Sequence, residues 1–133
     1  MKRLFALLVG LICASVAFAG NVKIKGMLTD RPGGRPMTSF PSDTPRLYVL
    51  FKTTGMNGGD KIRALWTAID VGEAAPPNTS VDDRTLIADG DTDDGEFSVS
   101  KPTDGWPPGK YRVEIYVNDQ IAASMQFTVE TPK

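Results

Sequence analysis

The acidic segment 89–96 is the part of the sequence best suited to bind a metal ion. It reads Asp-Gly-Asp-Thr-Asp-Asp-Gly-Glu, and a hard cation such as calcium requires several convergent oxygen ligands. The ligands would be Asp89, Asp91, Asp93 and Glu96. The segment begins like an EF-hand loop, but Asp94 stands where that loop needs glycine and Ser100 where it needs the closing glutamate. A solvated turn is therefore the favoured interpretation, with calcium binding as the alternative.

The residues needed for catalysis are scarce. The sequence contains no histidine, the side chain on which most acid–base, triad and zinc mechanisms depend. A Ser100–Lys101 pair would place its two side chains on opposite faces of a strand. Paired carboxylates for sugar hydrolysis need a deep cleft with one desolvated acid, which an Asp-rich exposed turn does not supply. We therefore expect a protein that is not an enzyme and that needs no cofactor.

Aromatic and basic residues supply the candidate binding surfaces. Trp106 lies in the segment 104–109, whose two prolines and two glycines indicate a corner of the chain. Its indole would either cap one end of the fold, which is the favoured interpretation, or take part in recognition. Outward positions on neighbouring strands would form a second, mixed surface, for which an ordinary solvated sheet face is the favoured alternative. These positions are Tyr48, Lys52, Arg63, Arg112 and Tyr116.

Residues 1–19 have the features of a cleavable export signal. Lys2 and Arg3 precede an apolar run, and Ala17-Phe18-Ala19 fits the small-x-small pattern of a cleavage site. The apolar run is shorter than the roughly 20 residues of a membrane span, which favours cleavage over a retained anchor. The bulky Ile12 before Cys13 argues against lipid attachment at that cysteine. We expect a single mature domain, residues 20–133, in the periplasm or secreted and not held in the membrane.

The composition of this mature chain excludes several kinds of site and partner. It has neither cysteine nor histidine, so it can form no disulfide, thiol nucleophile or thiolate–imidazole zinc site. The signal removes two of the 15 basic residues and none of the 16 acidic ones, which leaves a net charge of −3. This charge argues against a nucleic-acid or anionic-membrane partner, because phosphate binding requires a basic surface. A chain of this length can still bury a substantial core.

Alternation of apolar and polar residues with period two dominates the mature chain and predicts half-buried strands. The predicted strands cover 22–29, 47–51, 62–69, 85–88, 97–99, 111–117 and 121–129. A long loop rich in Pro and Gly, 71–83, precedes the fourth of them. Asn118-Asp119 predicts a tight hairpin between the last two. No amphipathic helix of useful length follows residue 19, so seven or eight short strands predict an all-β antiparallel sandwich.

The motif Gly109-Lys110-Tyr111-Arg112-Val113 resembles the Gly-x-Tyr-x-Cys pattern of immunoglobulin domains, with Val113 in place of the second cysteine. Trp66 follows Phe51 by 15 residues, a spacing similar to that between the first cysteine and the core tryptophan. Residues 22–130 thus resemble the immunoglobulin-like or fibronectin-like sandwiches of bacterial exported proteins. The resemblance implies that Tyr111 forms a tyrosine corner with the preceding loop. It also implies that Phe51, Trp66 and Val113 fill the core where a disulfide would otherwise lie.

This fold supports many unrelated functions, so function must be argued from a site. The favoured class is an exported binding or interaction module that recognises a protein or a glycan through loops or a sheet edge. The alternative class is a calcium-binding or structural envelope component that uses the acidic turn 89–96.

Overall fold

The computed structural model describes residues 22–90 and 93–132, which form eight strands and one short 3-10 helix, Gly72–Ala74. The strands are β1 (Lys23–Thr29), β2 (Ser39–Pro41), β3 (Arg46–Thr54), β4 (Lys61–Asp70), β5 (Thr79–Ile87), β6 (Asp94–Ser100), β7 (Gly109–Val117) and β8 (Gln120–Glu130). The predicted signal 1–19, with Cys13, lies outside the described residues. Within the described ranges, no helix has the length and apolar character needed to cross a membrane.

The strands form two sheets that pack face to face. The smaller sheet has the order β1-β3-β6 and the larger has the order β2-β8-β7-β4-β5. All pairings are antiparallel except that of β2 with β8. Apolar side chains alternate along the central strands and fill the space between the sheets. The predicted all-β sandwich of seven or eight strands is confirmed.

The core holds the four residues that the resemblance places there. Trp66, Tyr111, Phe51 and Val113 are each at most 3% exposed. The Tyr111 ring stacks on Phe127 with 5.2 Å between ring centroids, and its hydroxyl donates a hydrogen bond to the carbonyl of Pro107. Burial raises the pKa of Tyr111 to about 12. Tyr111 therefore has the geometry of a tyrosine corner.

Trp106 belongs to the interior and not to the surface. Only 2% of it is exposed, and its indole N–H donates a 3.0 Å hydrogen bond to the carbonyl of Thr44. The ring meets Tyr111 edge to face, 6.1 Å between centroids. An indole in this position closes one end of the sandwich, so the geometry corresponds to the capping interpretation and leaves no free aromatic face for recognition.

Two strands differ from the sequence-based expectation. β5 begins at Thr79, inside the predicted loop 71–83, and is nine residues long instead of the four predicted at 85–88. It is the last strand of its sheet and is largely exposed, so it needs no apolar alternation. β2 has only three residues, one of them Pro41, and exists because Phe40 packs into the core beside β8.

The β7–β8 hairpin turns at Asn118 and Asp119, as predicted, and both residues have positive φ angles of 49° and 70°. Asn118 ties this turn to the start of β4. Its side-chain oxygen accepts a 2.9 Å hydrogen bond from the backbone N–H of Lys61, and its side-chain nitrogen donates a 3.0 Å bond to Asp60. The second carboxylate oxygen of Asp60 accepts from the backbone N–H of Asn57 at 2.8 Å. We call this set of contacts the Asn118 latch.

Candidate binding groove on the three-stranded sheet

The mixed aromatic and basic surface predicted from the sequence does not exist as one patch. Tyr48 and Lys52 lie on β3 in the smaller sheet, whereas Arg63, Arg112 and Tyr116 lie on β4 and β7 in the larger sheet. The two groups therefore occupy opposite outer faces of the sandwich. The prediction was wrong because consecutive strands β3 and β4 do not pair, since the chain crosses between the sheets at the intervening turn.

On the larger sheet, Arg63 and Arg112 already have partners. Arg63 makes two 2.8 Å hydrogen bonds to the Asp83 carboxylate and lies 5.5 Å from the centroid of the Tyr116 ring. The Nε atom of Arg112 lies 3.3 Å from the Oε1 atom of Glu114. The bonds from Arg63 lower the pKa of Asp83, while burial and the nearby Glu114 carboxylate raise the pKa of Tyr116. These charges balance one another, so the face has the character of a solvated sheet surface.

The acidic segment is divided between a turn and a strand. Asp94 and Glu96 belong to β6 and point outward, while the backbone carbonyl of Asp93 accepts a 2.8 Å hydrogen bond from the backbone N–H of Thr53. Asp91 lies outside the described residues. Among the residues that are described, no three acidic, cysteine or histidine side chains are grouped so that they could hold a metal ion.

The outer face of the smaller sheet carries a groove of about 680 Å³. Two rows of outward side chains line it, and each row crosses all three strands at aligned register positions. The first row is Met27, Leu50 and Glu96, and the second is Lys25, Lys52 and Asp94. Pro32 and Gly33 add a wall from the loop after β1. The groove thus combines apolar side chains with charges of both signs.

The floor of the groove is a row of residues that faces inward. The row between the two outward rows is Gly26, Phe51 and Gly95, where Phe51 points into the core. Its ring occupies the space beside Gly95, since a Cβ atom there would lie 2.6 Å from the Phe51 Cζ atom. A Cβ atom on Gly26 would lie 3.0 Å from the Met125 methyl carbon. Gly95 therefore has no room for a side chain, whereas at Gly26 the neighbour is the flexible end of Met125. Because this row points inward, its backbone atoms form the floor of the groove.

The loop after β1 closes one end of the groove. Gly33 has a φ angle of +73°, which favours glycine, and the backbone N–H of Gly34 bonds to the carbonyl of Arg31 at 3.0 Å. A Cβ atom on Gly34 would lie 2.3 Å from the Thr29 hydroxyl. This close approach lets the loop fold over Thr29, which is fully buried although it points outward from its strand. Pro32 is thereby placed at the groove.

The charges of the groove are separated by strand. Lys25 and Lys52 are on β1 and β3, and Asp94 and Glu96 are on the edge strand β6. In the described part of the chain, no ion pair involves any of these four side chains. The groove therefore has a basic side on β1 and β3 and an acidic side on β6, and Lys52 lies directly opposite Asp94. Met27 and Leu50 lie beside the two lysines on the same strands. Such a site can bind a ligand that presents an apolar group beside charges of both signs.

Sequence reasoning found only part of this site. Lys52 was included in a candidate surface and Glu96 in the candidate calcium site, but neither was assigned to a groove. The signal that could have pointed to it is glycine inside two strands, at Gly26 and Gly95, because glycine in a strand marks close packing of the backbone.

Comparison with known proteins identifies the fold. No protein-family model matches the sequence, and no curated protein matches it. The structure is similar to that of an immunoglobulin-like protein from Pseudomonas aeruginosa, with a TM-score of 0.55 and 14% sequence identity over 82% of this chain and 96% of that protein.

Two larger enzymes contain a similar domain. One is the alkylpurine DNA glycosylase AlkC from Pseudomonas fluorescens, with a TM-score of 0.50 and 17% identity, where the match covers 84% of this chain but 31% of the enzyme. The other is a β-glucosidase from Erythrobacter marinus, with a TM-score of 0.51 and 13% identity, where it covers 82% of this chain but 15% of the enzyme. Identities this low show a shared fold only. The chain thus has an immunoglobulin-like β-sandwich fold.

Proposed function

We propose that this protein is an exported, non-enzymatic binding module that recognises a segment of a partner protein in the groove of its three-stranded sheet. The observation that carries the proposal is the groove itself. It holds an apolar pair, Met27 and Leu50, beside four charged side chains that form no ion pairs within the described residues: Lys25, Lys52, Asp94 and Glu96. An interface can bury the apolar pair and form ion pairs with the charged side chains beside it.

A protein ligand is favoured over a glycan by the aromatic side chains. Both tryptophans are buried, at 1% and 2% exposure, and so provide no flat face on which a sugar ring could stack. Phe51 contributes to the groove but points into the core, and Tyr48 is half-buried in the next row of the sheet. The groove is lined instead by aliphatic side chains and by charges of both signs. These groups complement the apolar and charged side chains of a peptide segment.

The groove is tested by photocrosslinking. A photoreactive amino acid is placed at Leu50, and at Leu65 as the matched control, since Leu65 is also a half-buried leucine that points outward, but from the opposite sheet. We expect a discrete crosslinked protein in envelope extract from the Leu50 position only. This crosslink should be lost when Met27→Arg is added in the groove but kept when Leu65→Arg is added on the opposite sheet. Equal crosslinking from both positions would refute the proposal. Binding of a glycan that Leu50→Arg abolishes would retain the groove and refute the protein ligand.

Export is tested separately. Mass spectrometry of the protein from envelope fractions should find an N-terminus at Gly20. An intact Met1, or a lipid on Cys13, would contradict export by signal cleavage.

A further inference from the structure

We infer that the partner segment is an extended strand that pairs with the free edge of β6 and carries basic residues at alternate positions. This inference rests on the proposed function, because Asp94 and Glu96 of β6 form the acidic side of the groove. It adds the backbone conformation of the partner and the chemistry of its side chains.

β6 presents an open sheet edge. In the described part of the chain it pairs with β3 and with no other strand. A strand at the end of a sheet leaves a row of backbone N–H and C=O groups that another chain can join. β6 has no proline in its seven residues, so no residue along it lacks the backbone N–H that pairing uses.

The larger sheet leaves room beside β6. Gly26 of β1 packs close to Met125 of β8, so β1 lies over the β8 side of the larger sheet and β6 lies toward the β5 side. The larger sheet has two more strands than the smaller one, and within the described residues its last strand, β5, pairs with β4 alone. Leu86 and Ile87 of β5 are 44% and 65% exposed. One additional strand next to β6 would therefore extend the smaller sheet over β5.

The side chains of β6 define what this strand must carry. Asp94 and Glu96 point outward, whereas Phe97 and Val99 point inward. Residues opposite one another on paired strands face the same side, so the added strand places alternate residues beside the two carboxylates. Lysine or arginine there would pair with charges that form no ion pair within the described residues. The intervening residues would be apolar, because they lie beside Phe97 and Val99 and above Leu86.

The test uses a synthetic peptide with the sequence of residues 22–30, Val-Lys-Ile-Lys-Gly-Met-Leu-Thr-Asp, which has this alternation. The control peptide has both lysines replaced by glutamate. Binding is measured by fluorescence anisotropy at low salt, with the wild-type protein, with the double variant Asp94→Lys/Glu96→Lys and with Asp104→Lys. Asp104 is an exposed acid in the corner between β6 and β7. It follows the Ser100 end of β6, whereas Asp94 begins that strand, and it serves as the matched charge control.

We expect the lysine peptide to bind the wild-type protein. The glutamate peptide should bind the wild-type protein about tenfold more weakly, and the lysine peptide should bind the double variant about tenfold more weakly, since in both cases like charges replace opposite charges. Asp104→Lys should bind as the wild type does. Amide hydrogen exchange should show new protection in β6. Protection in β5, or in β3 through displacement of the chain's own β1, would overturn the inference.

The inference and the proposed function can fail separately. If Leu50 crosslinks a partner but the lysine peptide protects no β6 amide, the groove stands and strand pairing is refuted. If the peptide protects β6 but Leu50 crosslinks nothing in envelope extract, the edge accepts a strand and the groove is not the site of recognition.

Discussion

Replacing Gly95 by alanine tests the packing of the core directly beneath the groove. The new Cβ atom would lie 2.6 Å from Cζ and 3.0 Å from Cε1 of Phe51. The ring cannot move away freely, because it is 3% exposed and stacks on Phe97 with 5.6 Å between centroids. Overpacking of this kind costs about 1–3 kcal/mol, and replacing a strand glycine by alanine returns about 0.5–1 kcal/mol. We expect Gly95→Ala to lower the free energy of unfolding by about 1–2 kcal/mol.

Urea unfolding followed by tryptophan fluorescence measures this change, since both tryptophans are buried in the native state. Gly90→Ala is the control, because a Cβ atom there has no neighbour within 4 Å, and it should change stability by less than about 0.5 kcal/mol. Phe51→Leu shortens the side chain that meets the new methyl group. A double-mutant cycle between Gly95→Ala and Phe51→Leu should therefore show a coupling of at least about 0.5 kcal/mol. Equal stability of Gly95→Ala and Gly90→Ala, or strict additivity in the cycle, would refute the reasoning.

Three further predictions concern the core, the tyrosine corner and the acidic turn. Trp66→Ala should lower the free energy of unfolding by about 3–5 kcal/mol in the same urea assay, as for other large buried aromatics, and a neutral result would exclude Trp66 from the core. Tyr111→Phe should cost about 1 kcal/mol at pH 7; because burial raises the pKa of Tyr111 to about 12, the wild type should lose stability relative to this variant as the pH rises from about 10 to about 12. Calcium should raise the melting temperature no more than sodium at equal ionic strength, and a calcium-specific rise that Asp91→Asn abolishes would contradict this.

The strands that were predicted well are those with one buried face. β3, β4, β7 and β8 alternate because each packs its inward residues against the other sheet, and the Asn118-Asp119 turn has the residue types that tolerate positive φ angles. β5 was predicted too short because an edge strand exposed on most of its length has no such alternation. β2 could not be predicted from its own residues, because its pairing depends on β8, almost 90 residues later.

The groove could not be predicted from the sequence because it depends on which strands are neighbours. Alternation assigns Tyr48 and Arg63 to outward positions but does not say that they belong to different sheets. Lys25 and Asp94 are far apart in the sequence and come into one row only through the registers of β1 and β6 with β3. The burial of Trp106 also depends on a contact that is distant in the sequence, since its indole N–H donates a hydrogen bond to the backbone carbonyl of Thr44, 62 residues earlier.

The Asn118 latch determines how the hairpin end of the sandwich can open. A hairpin tip that protrudes into solvent usually frays, and its amides exchange with water through small local openings. Here the tip is bound through the Asn118 side chain to the backbone of Lys61 and to Asp60, on the chain that leads into β4. Opening the tip therefore requires breaking contacts in a second turn at the same time. The amides of this end should exchange through larger, cooperative openings that involve β4, β7 and β8 together.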